Sequence, residues 1–165
     1  MELWLILLLL ALAAGAAVSY GHLRWNCLTA TLFDRLSAAR EPVQPTHVDL
    51  RELDGLPPPV QRYFRAVLED GAPMVAGATV EHRGTFNTAS PPHAPKWKPF
   101  TSRQRIVTRR PGFVWDARVA MLPGLAVLVH DAYVAGEGIL HPAFAGLVTL
   151  ADLRGTITAM RHEFA

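Results

Sequence analysis

The chain has 165 residues, 50% of them hydrophobic and 18% charged, with a formal net charge of +2. That length suits one domain with its own core plus an appendage, and a single cysteine, Cys27, excludes an intrachain disulfide. Charge is unevenly placed: residues 74–118 hold eight Lys or Arg against Glu81 and Asp116, about +6, whereas the segments on either side are each about −2. Arginine dominates the cations, with lysine only at Lys96 and Lys98. Together with abundant Ala, Leu, Gly and Pro, this reads as the coding bias of a GC-rich bacterium, so a single arginine carries little functional weight.

The run "LWLILLLLALAAGAAVSY", Leu3 to Tyr20, contains no charge. As a helix it rises about 27 Å, close to the hydrocarbon thickness of a bilayer. Trp4, Tyr20 and Trp25 stand near its ends, where aromatic rings favour the interface. A cleavable signal peptide is the rival, with "AGA" at 14–16 as a peptidase site. Such a peptide wants a positive start, and Glu2 is the only charged side chain before the run. Residues 1–24 are therefore read as a retained single-pass transmembrane anchor. Arg24, Arg35 and Arg40 follow it and no cation precedes it, which by the positive-inside rule places the remainder in the cytoplasm.

No proline or glycine interrupts His22–Glu41, and Leu28, Leu32 and Leu36 recur every four residues beside Phe33. The pattern predicts that the helix continues as an amphipathic stalk, followed by a proline-containing linker, over residues 25–55. A stalk of this kind offers a route to a homo-oligomer. A β-rich domain is expected over residues 56–165. It begins with a helix at 57–68, where Val60, Tyr63, Phe64, Val67 and Leu68 share one face.

The hydrophobic period then changes to two. Strands are predicted around 78–86, 100–108, 113–121 and 125–134, with turns at "RRPG" and Pro123-Gly124 and a close at Gly136-Glu137-Gly138. "LHPAFAGLVTLADLRG" reads equally as a short helix or as a strand with loops. The fold class is α+β: a transmembrane helix and stalk, a short helix, and a curved antiparallel β-meander that forms part of an open half-barrel.

The chemistry-bearing residues gather in "GFVWDARVAMLPGLAVLVHDAY". Alternation places Asp116 and Arg118 on one face of the third strand, with Phe113, Trp115, Val119 and Met121 on the other. Both faces are substantially apolar, so a charge there needs a partner. Register decides which one. An even loop pairs Asp116 with Asp131, whereas a three-residue loop pairs Asp116 with His130 and Trp115 with Asp131. A structural ion pair, a ligand-gripping wall and a catalytic site all stay open. On the second strand Arg103, Arg105 and Arg109 share a side suited to phosphate headgroups.

Motifs for nucleotide binding, the nucleophile elbow, zinc proteases and CxxC chemistry are absent, and the seven histidines lack ligand spacing. No metal or cofactor is expected. One basic strand without a recognisable module argues against nucleic acid.

"LPPPVQRYFRAVL", "W-K-PF" from Trp97, "PGFVWDARVAMLPGL" and "DAYVAGEG" together resemble an uncharacterised bacterial family known only as a domain of unknown function, over about Leu56 to Gly155. The resemblance implies a membrane-associated, β-rich protein without an assigned activity, so no catalytic residue is carried over. Family members continue further, while "TITAMRHEFA" departs from their pattern, so a truncation or frameshift with an open edge strand is expected.

The leading expectation is a membrane-anchored module that binds membrane lipid or another apolar small molecule. Its ligand-binding residues would be Arg103, Arg105, Phe113, Trp115, Asp116, Arg118, Asp131 and Tyr133, with the 57–68 helix packed near the concave side of the sheet. The alternatives are a structural or assembly protein acting through the stalk, and an enzyme using Asp116, His130 and Asp131 around a water or metal.

Overall fold

A computed structural model describes residues 2–156. Helix α1 spans Glu2–Ala39 without a break, about 57 Å at the standard rise. Its first half is exposed and apolar, long enough to cross a membrane, a test that a signal sequence passes equally. Its second half is amphipathic: Trp25, Thr29, Leu32, Phe33 and Leu36 fall on one face and are buried. Residues 25–39, the helical part of the segment expected as stalk and linker, lie across the sheet and cover it.

That sheet is antiparallel, with strands β1 (Gly77–Asn87), β2 (Trp97–Val107), β3 (Gly112–Leu122), β4 (Leu125–Val134) and β5 (Glu137–Phe144) paired in chain order. The two halves of β5 then pair with β6 (Val148–Thr149) and β7 (Leu153–Thr156), which settles the ambiguous stretch as strand. The fold class is α+β, an open meander beneath a long helix. The departure expected at "TITAMRHEFA" lies almost entirely outside the described residues.

Side chains on the helix-facing side form the core. Leu32, Phe33 and Leu36 pack with Val114, Ala132, Val134 and Ile139, and Trp25 packs with Leu128 and Ala143. Helix α2 (Pro58–Val67) has no buried residue. It packs beside a 3-10 turn at Leu50–Leu53 and is tied to the segment after that turn by Gln61 Nε2, which donates to the Leu56 carbonyl at 2.8 Å, and by an Arg65–Asp54 pair at 2.7 Å. The expectation that this helix lines the concave side of the sheet is therefore corrected. With α1 longer and more apolar, α1 takes the covering role.

The β3–β4 turn explains the register. Leu122 pairs with Leu125 across Pro123-Gly124, and Gly124 has φ +74°. Proline followed by a left-handed glycine is the pattern of a type II turn. An even two-residue loop alone would set Asp116 opposite Asp131. The register shifts between Ala120 and Leu122, a bulge at Met121, so Asp116 pairs with His130 and Trp115 with Asp131.

At the other end of the interface Gly21 lies directly on the Ala145 carbonyl, and Gly146, at φ +70°, lies on Gly21. A Cβ at position 21 would overlap the Ala145 oxygen. Gly21→Ala should lower domain stability by about 1–3 kcal/mol, through the forced shift of helix against turn. A urea midpoint unchanged from wild type in detergent would show that the helix is not seated there.

Candidate functional site

The two faces of the sheet carry different chemistry. On the face beneath α1 a polar network sits inside the apolar core. The Trp25 indole Nε1–H donates to Asp116 Oδ1 at 2.8 Å. The indole stacks on the His130 imidazole, with centroids 3.9 Å apart and planes 11° from parallel, and His141 meets its edge at 5.6 Å. Thr29 Oγ1 lies 2.7 Å from His130 Nε2 and 3.1 Å from the Trp25 carbonyl. With the single hydroxyl proton directed to that carbonyl, Nε2–H of His130 donates to Thr29. Arg118 stands 3.8 Å from Asp116 Oδ2 and donates to Asn26 Oδ1 at 2.9 Å.

Burial sets the protonation states. It pushes the Asp116 carboxyl above its ordinary value, opposed by the Trp25 N–H and by Arg118. It pulls His130 down to about 4, helped by His141 and Arg118. His130 is 1% exposed, with Trp25 lying over its ring. Strand alternation places Asp131 on the opposite face. Asp116 Oδ1 and His130 Nε2 stand 3.8 Å apart on the helix side while Asp131 lies on the other, so the three residues named for the enzymatic alternative are not all brought together. Among the described residues no group of three His, Cys, Asp or Glu stands close enough to hold a metal ion.

Arg103 and Arg105 are also on the helix side. The Arg105 guanidinium lies 4.4 Å from the centre of the Phe33 ring, and Arg103 borders an opening of about 370 Å³ with Glu81, Arg83 and Arg118. The expectation that these two arginines meet the headgroup of a ligand lying on Trp115 is thus corrected, because the sheet separates them.

The face turned away from α1 is open. Phe86, Phe113, Trp115, Val119, Val129 and Leu140 line a groove of about 550 Å³, with Gln104 and Asp131 as its polar members. Of the eight expected ligand-binding residues, Phe113, Trp115 and Asp131 come together here. Tyr133 shares this side, paired with Phe113. Burial raises the Asp131 carboxyl above its ordinary value. A larger cavity, about 760 Å³, is formed among connecting segments by Val43, Val48, Val67, Met74 and Val75, with Glu69 and Arg109 as its charged residues. Its walls are the end of α2 and loops held by a few backbone bonds, whereas the groove is built on paired strands.

Sequence reasoning missed Trp25, Thr29 and His141 as members of the buried network. The sequence places Trp25 near the membrane interface, yet it is 1% exposed inside the fold. The spacing of four from Trp25 through Thr29 to Phe33 was the signal available.

An open antiparallel sheet covered by one long helix, whose apolar N-terminal half extends beyond it, defines a β-rich α+β protein with a candidate membrane span. The chain belongs to a family of unknown function, DUF6920, whose profile matches residues 54–163. Comparison with curated proteins and with solved structures found no match. The matched region contains the whole described sheet but not α1, which supplies the layer covering it.

Proposed function

We propose that this protein is a membrane-anchored module that holds the acyl part of a membrane lipid against the open face of its sheet. The observation that supports this reading is the groove of Phe86, Phe113, Trp115, Val119, Val129 and Leu140, a size in the usual range for small-molecule sites and apolar but for Gln104 and Asp131. Phe86 and Val119 lie toward the end of the sheet where the apolar half of α1 departs, so the groove leads toward the bilayer the anchor would occupy. Arg24, Arg35 and Arg40 after the span favour the cytoplasmic side for the domain. Assembly through the second half of α1 is less well supported, because Leu32, Phe33 and Leu36 are already buried in the chain's own core.

The test is mass spectrometry of small molecules extracted from the intact protein in detergent, for wild type and Trp115→Ala. Trp115 is half-buried and its ring lies 6.4 Å from Phe100, so its truncation should cost about 1–2 kcal/mol of stability. It should also remove most of a discrete co-purifying lipid. An empty wild-type protein, or an occupancy that falls only in step with folded protein, would return Trp115 to ordinary packing.

A further inference from the structure

The register of the sheet fixes which of its turns lie beside the membrane span. Gly21, one residue after the apolar run, sits on Ala145 and Gly146, and Arg24 donates to the Gly146 carbonyl at 3.1 Å. Ala145 N–H in turn donates to the Ala126 carbonyl at 2.8 Å, which brings the β3–β4 turn to the same level. Phe100 pairs with Val119, so the start of β2 reaches that level too, and the β1–β2 loop extends from it. Three loops therefore share the end of the sheet from which the apolar half of α1 departs: residues 88–96, 123–124 and 145–147.

Among the described residues, that end is apolar, basic and free of carboxylates. Trp97 is 62% exposed, Leu122 61% and Val148 58%, all on or beside these loops. The only two lysines of the chain, Lys96 and Lys98, flank Trp97. No Asp or Glu occurs in residues 84–100, 117–130 or 138–151. The acids collect at the opposite end, with Glu41, Asp49, Glu52, Asp54, Glu69 and Asp70 in the linker and α2 region. An exposed tryptophan between two lysines suits a headgroup layer, where the ring takes the interface and the cations meet anionic lipid. The opposite arrangement, with the acids at this end, would repel the same surface.

We infer that this rim, centred on Trp97 and Leu122 with Lys96 and Lys98, is a second membrane contact that docks on the headgroup layer of an anionic bilayer. The domain then stands with its strand ends on the surface instead of hanging from α1. The inference rests on the anchoring of α1 and goes beyond it, because an anchored domain on a loose tether would leave these loops in water.

The experiment uses the full chain in vesicles of phosphatidylcholine containing phosphatidylglycerol. In a Cys27→Ser background, single cysteines at Trp97, Leu122, Ala66 and Leu10 carry an environment-sensitive fluorophore. Quenching is read with nitroxide-labelled acyl chains and with aqueous iodide. Labels at 97 and 122 should be quenched by the lipid nitroxide and shielded from iodide, while the label at Ala66, exposed on α2, should show the reverse. Lys96→Gln with Lys98→Gln, which leaves both hydrophobic tips in place, should reduce lipid quenching at 122 to the level found in vesicles of phosphatidylcholine alone. Lipid quenching at Leu10 with iodide quenching at both 97 and 122 would overturn the rim contact alone. Iodide quenching at Leu10 as well would overturn the anchor and the rim together.

Discussion

Trp25→Ala is expected to lower domain stability by about 3–5 kcal/mol, the range for truncating a large buried aromatic. Three losses combine at this position. The ring leaves a void against Leu128 and Ala143, the stack on His130 disappears, and Asp116 loses the indole N–H that it accepts. A carboxylate left half-buried with Arg118 and a neutral His130 both no nearer than 3.8 Å carries a large desolvation cost. Trp25→Phe narrows these contributions, because it keeps a six-membered ring in the core while removing the donor and the rest of the indole. It should cost about 1–3 kcal/mol, and its Asp116 carboxyl should titrate higher than in wild type. Urea unfolding in detergent, followed by the near-ultraviolet signal of the domain, measures both. A loss below about 1 kcal/mol for Trp25→Ala would mean that α1 is not part of the core.

Acid should destabilise the domain through His130. In the fold its imidazole titrates at about 4, against an ordinary 6.5 in an unfolded chain. The folded state thus favours the neutral ring, and its contribution is complete above pH 6.5. As pH falls from 6.5 toward 4 the unfolded chain takes the proton first, and up to about 3 kcal/mol is lost. Asp116 and Asp131 act with the opposite sign, because their carboxyl values are raised and the folded chain takes those protons first. The net decline is therefore smaller than His130 alone would give. His130→Gln, which keeps a hydrogen-bonding partner for Thr29, should be less stable than wild type at pH 7.5 and show a shallower decline between pH 6.5 and 4.5. Parallel declines for the two proteins would place His130 in water.

The two effects meet in one structural device. Asp116, in the charge cluster of β3, is the acceptor that holds Trp25. Through Trp25 and Thr29 the sheet fixes the second half of α1, and with it the direction in which the apolar first half departs. A rigid connection of this kind presents the loops around Trp97 and Leu122 to one surface instead of many, which is why the rim inference depends on Gly21 and Ala145 as much as on the loops themselves.

Local pattern determined much of this protein. A charge-free run of bilayer length, the period-two alternation from residue 78 onward, and Pro-Gly at 123–124 were enough to assign the long helix, four strands and their antiparallel order. The division of β3 into an Asp116 face and a Trp115 face also followed from alternation alone. Tertiary structure decided what lies over each face. The four-residue spacing of Leu28, Leu32 and Leu36 reports an apolar stripe without naming its partner, so a stalk and a sheet cover read identically. The amphipathic pattern of 57–68 likewise promised a core helix, yet α2 buries nothing. The bulge at Met121 leaves no mark in composition, and it alone sets Asp116 beside His130 instead of opposite Asp131. Sequence periodicity is a property of one segment, whereas packing, register and the state of a buried charge depend on segments about a hundred residues apart, as Trp25 and Asp116 are.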